Sequence, residues 1–171
     1  LSLGNEYYQE IYKSSPIGIE LFDEKGLLFH ANPACLNIFG VSSVEDIRGF
    51  RLFDDPNLPL NARQRLQNGE TVALSESFSF DVVRQNGLYP TSKSGVVFLD
   101  ILITALKDKG RVNGYLGQVQ DVTAQKRATA QLEEYQRQLE RIVETRTDQL
   151  EHVNIQLQYE LRERRRIAAS E

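Results

Sequence analysis

The chain has 171 residues, 40% of them hydrophobic, with a formal net charge of −4, enough for one domain of about 100 to 120 residues plus an appendage but not for a second core. The mild acidity gives no reason to expect nucleic acid or an anionic membrane as partner, and no apolar run approaches the roughly 18 residues of a bilayer span or has the layout of a signal peptide. A single cysteine, Cys35, excludes an intrachain disulfide and any multi-cysteine metal site and suits a reducing, cytoplasmic setting.

Tyr7, Tyr8, Ile11 and Tyr12 recur at helical spacing and stop at Ser14-Ser15-Pro16, which predicts a lead-in helix over residues 1–14. Ile17, Ile19 and Leu21 then alternate with Gly18, Glu20 and Phe22, and Asp23-Glu24-Lys25-Gly26 turns the chain into a second strand over 27–32. Asn32 can cap the helix that Pro33 opens over 34–39, and Gly40 can end it in a left-handed conformation. Ser42 and Glu45 have capping-box spacing for a further turn through Ile47. Pro56 and Pro59 hold the next segment open until Asn61 caps a helix over 62–67, closed by Asn68-Gly69.

Val72, Leu74, Phe78, Phe80 and Val82 alternate with polar or small residues, predicting a third strand over 72–82 with Glu76 as the polar exception on its apolar face. A polar loop over 84–94, a strand over 96–106, the turn Lys107-Asp108-Lys109-Gly110 and a strand over 112–121 complete an α+β domain with an antiparallel sheet over 15–122. At Asp121-Val122-Thr123 the apolar period changes from two to three or four. No Gly or Pro follows Asp121, so a single helix is expected over 123–171.

Gly26-Leu27-Leu28-Phe29-His30-Ala31-Asn32-Pro33-Ala34, Asn37-Ile38-Phe39-Gly40, Glu45-Asp46-Ile47-Arg48-Gly49, and Gly114-Tyr115-Leu116-Gly117 running into Asp121-Val122-Thr123 follow one another in the order and spacing of the PAS family of sensory domains, which residues 5–123 resemble. The tail, notably Glu144-Thr145-Arg146-Thr147-Asp148-Gln149-Leu150-Glu151 and Glu160-Leu161-Arg162-Glu163-Arg164-Arg165-Arg166, is similar to the linker helices of sensor histidine kinases. The resemblance implies a five-stranded antiparallel sheet of order 2-1-5-4-3 with short helices packed over one face around a ligand pocket. Such a fold does not by itself name a function.

With that fold, strand parity points Leu28, Leu74, Phe78, Phe80, Leu99, Ile101 and Ile103 at the pocket, joined by Leu36, Phe39, Ile47 and Phe53 from the helices. These residues equally suit a dry core. His30, Glu76, Tyr89, Lys93 and Asp100 are the polar residues expected nearby. Arg48 and Arg51 flank Phe50, and with Lys93 they could hold an anionic ligand. The ligand itself stays unidentified. Flavin photochemistry in this family uses a cysteine in a motif on a later helix, which the chain lacks, and Cys35 reads as a buried thiol. Haem needs an axial ligand, and His30 and His152 are the only histidines; both observations argue against flavin and haem. His152 is followed by Val153-Asn154-Ile155-Gln156-Leu157 rather than by the acidic residue and proline of a phosphoacceptor helix. No glycine-rich ATP site or catalytic triad occurs, so no enzyme activity is expected of this chain.

From residue 125 an apolar seam runs through Ala128, Leu132, Tyr135, Leu139, Ile142, Leu150, Val153, Leu157 and Leu161, with Arg146 and Arg164 at seam positions. Its steps change from heptad spacing to an eleven-residue rhythm after Ile142. A lone helix of this kind would leave the seam in water, so a parallel homodimer is expected. Leu1 is not a methionine and Glu171 falls inside the helical pattern, which leads us to expect a longer, in some cases membrane-anchored, parent protein whose cytoplasmic part includes this module. The expected function is sensing and dimerisation in a two-component kinase, with Asp121 and Thr123 as the signal junction. There Thr123 or Asp121 would cap the helix, or Asp121 would pair with Lys126 or Arg127. A ligand-free structural dimerisation module is the alternative.

Overall fold

The computed structural model describes residues 2–170; Leu1 and Glu171, the outer bounds of the first and last expected segments, lie outside the described residues. Contacts divide the chain after Ala124 into two units.

In the first unit, α1 (Ser2–Ser14) precedes β1 (Gly18–Asp23), β2 (Leu28–Ala31), α2 (Pro33–Phe39), two 3-10 turns at Val44–Asp46 and Leu52–Asp54, α3 (Leu60–Gln67), β3 (Thr71–Ser79), α4 (Phe80–Gln85), β4 (Val96–Asp108) and β5 (Arg111–Asp121). All neighbouring strands pair antiparallel in the order β2-β1-β5-β4-β3. This is the sheet that the resemblance implied.

Asn32 explains how β1, α1 and α2 are stitched together. It is fully buried; its Oδ1 accepts from the backbone N–H groups of Cys35 (2.9 Å) and Ile19 (2.8 Å), and its Nδ2 donates to the carbonyls of Tyr12 (3.0 Å) and Ile17 (2.9 Å). The helix cap read from the sequence is therefore also a four-way buried junction, which satisfies every hydrogen-bonding site that an amide of this kind must fill away from water. Gly40 ends α2 at φ 65°, as its position suggested.

Three local expectations are corrected. The third strand stops at Ser79, because residues 80–85 form α4: Phe80 and Val83, three apart, bury one helical face, while Asp81 and Arg84 pair at 2.6 Å on the other. The capping box shifts by one residue, with the Ser43 backbone N–H donating to Asp46 Oδ2 at 3.2 Å. Pro59 rather than Asn61 occupies the N-cap of α3, so Asn61 lies inside the helix.

Two apolar clusters fill the space between the sheet and the short helices. The larger gathers residues such as Phe22, Leu28, Leu52, Leu66, Ile103 and Tyr115, and the smaller gathers Phe78, Phe80, Val83, Leu99 and Val119. In the second unit, α5 (Thr123–Ala168) is one 46-residue helix, about 70 Å long at helical rise. No described helix is long and apolar enough to cross a membrane.

Candidate functional site

Between the inner face of the sheet and the segment that connects α2 to β3 lies a cavity of about 70 Å³, room for several waters or a small organic group. Eight of the expected pocket residues line it: Leu28, Phe39, Ile47, Leu74, Phe78, Tyr89, Ile101 and Ile103. Phe50 and Leu52 from the connecting segment, Phe22 from β1 and Val119 from β5 complete much of its apolar wall.

The other expected pocket residues sit elsewhere. His30 is exposed on β2, because a bulge opposite Leu21 and Phe22 breaks the parity it shared with Leu28; its ring instead lies 5.4 Å from that of Tyr12. Phe80 and Leu99 are fully buried in the smaller cluster, and Leu36 and Phe53 pack against the larger one without reaching the cavity. Glu76 is exposed and lines a shallow cleft beside Pro56 and Pro59 instead. Asp100 is exposed and accepts from the Ser75 hydroxyl at 2.6 Å.

The anion clamp does not form. Arg48 pairs with Glu45 at 2.9 Å and Arg51 with Asp54 at 3.8 Å, all of them exposed, and Lys93 is exposed as well. Neighbours three residues apart reach these arginines first, so local ion pairs take the charges that were expected to converge.

The cavity's polar groups are acidic or neutral: Glu20, Asp55, Asn57 and Tyr89. Glu20 Oε1 accepts from the Cys35 thiol at 3.3 Å. Burial pushes the Glu20 carboxyl up to about 7, the thiol's hydrogen bond acts in the opposite direction, and the Asp55 charge adds to the rise. Asp55 is also raised by burial, against hydrogen bonds from the Asn57 backbone and side chain at 2.9 and 3.0 Å and the charge of Arg63. The Tyr89 hydroxyl is buried with no hydrogen-bond partner among the described residues, and burial raises its pKa, with Glu20 and Asp55 adding to the shift.

Glu20 escaped sequence reasoning because β1 is apolar on both faces, and the run Ile17, Ile19, Leu21 suggested the wrong one. The buried side carries Gly18 and Phe22, with Glu20 between them. The available signal was the glycine pair: Glu20 lies opposite Gly117, and a Cβ at Gly117 would come within 2.9 Å of Glu20 Oε2. Cys35 is buried beneath Glu20, and His30 is exposed on β2. Among the described residues no group of three or more His, Cys, Asp or Glu could hold a metal ion.

At the end of β5, Asp121 Oδ1 accepts from the Thr123 backbone N–H at 2.9 Å, so Asp121 supplies the cap. The Thr123 hydroxyl oxygen accepts from the Phe98 backbone N–H at 2.8 Å. Along α5 the seam residues Leu132, Tyr135, Leu139, Ile142, Leu150, Val153, Leu157 and Leu161 are exposed, from 69% at Leu132 to 49% at Leu157.

The sequence profile of a family described as PAS fold matches residues 12–127. Among solved structures, an RNA-binding light-oxygen-voltage receptor superposes with a TM-score of 0.60 at 19% identity over 78% of this chain, which spans 37% of that receptor. A LOV protein of Rhodobacter sphaeroides gives 0.53 at 14% identity over 71% of this chain and 69% of its own. The PAS domain of BvgS from Bordetella pertussis gives 0.51 at 18% identity over 78% of this chain and 96% of its own. At these identities the likeness is one of fold. No curated protein matches the chain in sequence.

Proposed function

The chain belongs to the PAS fold family, and we propose that this member is the sensory and dimerisation module of a cytoplasmic signal-transduction protein, a sensor histidine kinase. A small molecule binds the cavity, and the change leaves through Asp121 and Thr123 into two parallel copies of α5. The carrying observation is that one strand serves both ends of this path: Val119 of β5 lines the cavity, and two residues later Asp121 caps α5. Ligand occupancy would then bias the position of β5 and, through it, the rotation or register of the paired helices. The exposed seam on α5 supports pairing, since an isolated helix with this apolar stripe leaves it in water. The kinase assignment rests on the similarity of residues 144–151 and 160–166 to kinase linker helices.

Native mass spectrometry of the purified chain tests the reading. A dimer that retains or titrates a small molecule supports it, whereas a dimer indifferent to small molecules favours a structural dimerisation module. The small cavity volume is the observation in favour of that second reading.

A further inference from the structure

The cavity has an apolar body and a head with a definite polarity. Glu20 and Asp55 are among its lining residues, no described lysine or arginine lines it, and the hydroxyl of Tyr89, another lining residue, is buried without a hydrogen-bond partner among the described residues. Among the described residues the Glu20 carboxyl receives its hydrogen bond from a thiol, a weak donor, at 3.3 Å. A buried hydroxyl and a poorly satisfied carboxyl from residues of one cavity lining are groups that an incoming ligand can complete.

The position of Glu20 is built into the sheet. Its register partner is Gly117, and only a residue without a side chain leaves the carboxyl its place over β5, since a Cβ would sit 2.9 Å from Oε2 and 3.3 Å from the Glu20 Cβ. Asp55, also in the lining, is held by Asn57 through two hydrogen bonds to Oδ1. The aromatic wall is ordered around Tyr89, whose ring lies 6.1 Å from Phe39 and 6.0 Å from Phe50 in edge-on arrangements.

We propose that the cavity selects a compact organic cation, an ammonium group on a short branched or straight apolar chain, with the ammonium directed at Glu20 and Asp55 and hydrogen-bonded to the Tyr89 oxygen. An ammonium has three donors and no acceptor, which matches a site of acceptors. An organic anion would meet two carboxyls and no lysine or arginine among the described lining residues, and is disfavoured. The ionisation behaviour agrees: a carboxyl raised to about 7 by burial regains its charge when a cation arrives beside it. This inference rests on the reading of the cavity as a ligand site and adds the chemical class that it accepts.

The test uses three molecules with the same apolar body and different heads: isobutylammonium, isobutanol and isobutyrate, each titrated into the full chain at neutral pH. Binding is followed by amide chemical shifts of residues around the cavity. The expected result is that isobutylammonium binds at least about tenfold more tightly than isobutanol, that isobutyrate does not bind, and that Glu20→Gln abolishes the preference for the cation while isobutanol binding survives. Tyr89→Phe, which keeps the ring, should reduce the cation's affinity a few-fold and provides the check if Glu20→Gln does not fold. Isobutanol binding without preference for the cation, or isobutyrate binding best, overturns the proposed ligand class and leaves the cavity as a ligand site. If none of the three shifts the cavity residues, both the class and the ligand-site reading fail.

Discussion

The Phe98 backbone N–H donates to Thr123 Oγ1 across 2.8 Å, so the residue at which α5 begins is hydrogen-bonded to β4, the strand that supplies Ile101 and Ile103 to the cavity. One residue earlier, the Val122 N–H donates to the Phe98 carbonyl at 2.9 Å. Both backbone groups of Phe98 are thereby committed to the start of the helix. Replacing Thr123 with valine keeps the shape and removes this acceptor of the part-buried Phe98 N–H. We expect a loss of about 1–3 kcal/mol, read by urea denaturation, together with faster hydrogen exchange at Phe98. Unchanged exchange there would show that the bond does not hold the joint.

Asp121→Ala should loosen the same joint in a different way. It removes the acceptor for the Thr123 N–H, costing about 1 kcal/mol as helix caps do, and it leaves ligand affinity intact because Asp121 does not line the cavity. Inserting two residues after Thr123 should rotate the α5 seam by about 200° and scramble output in the full-length protein. Unaltered signalling would refute the relay.

Asn32→Ala should be among the most damaging single changes. It strips four hydrogen bonds, one buried and three part-buried, that tie together α1, β1 and α2 and orphans the backbone N–H groups of Ile19 and Cys35. A loss of about 3 kcal/mol or more is expected, seen as a fall in denaturation midpoint. A cost below about 1 kcal/mol would mean that water replaces the amide.

Stability should fall as pH rises through Glu20's titration. Its folded value, raised to about 7 from 4.5, lies above that of the unfolded chain, so between these pH values the folded state holds a proton that the unfolded state has released. The stabilising contribution is complete below about 4.5 and is lost as pH rises through about 7, with a slope of up to about 1.4 kcal/mol per unit. Cys35, Asp55, Tyr12 and Tyr89 are the titratable groups electrostatically coupled to it, and the raised Asp55 acts in the same direction. Denaturation midpoints measured between about pH 5 and 8 should slope downward in the native chain and flatten in Glu20→Gln.

Gly117→Ala should displace the Glu20 carboxyl, since the new Cβ would lie 2.9 Å from Oε2. The displaced atom is the end of a flexible side chain, so the expected cost in stability is below about 1 kcal/mol, and the readout is a changed titration of Glu20 in carboxyl carbon shifts. A titration identical to that of the native chain would show that Glu20 does not rest against Gly117.

The amino-acid sequence by itself determined the order of the five strands, the cap at Asn32, the left-handed end of α2 at Gly40 and the single helix after Asp121, because these depend on neighbours within a turn or on a period sustained over many residues. Seven apolar lining residues were legible for the same reason. The polarity of the site was decided only by tertiary structure. Glu20 enters the cavity because β5 presents Gly117 opposite it, Arg48 and Arg51 are withdrawn by Glu45 and Asp54 on their own turns, and His30 turns outward at a bulge set by pairing with β1. Strand parity assumes an unbroken ladder and carries no information about what lies across it, and for this chain the partner strand, not the pattern along β1, decides that a carboxyl rather than a guanidinium faces the cavity.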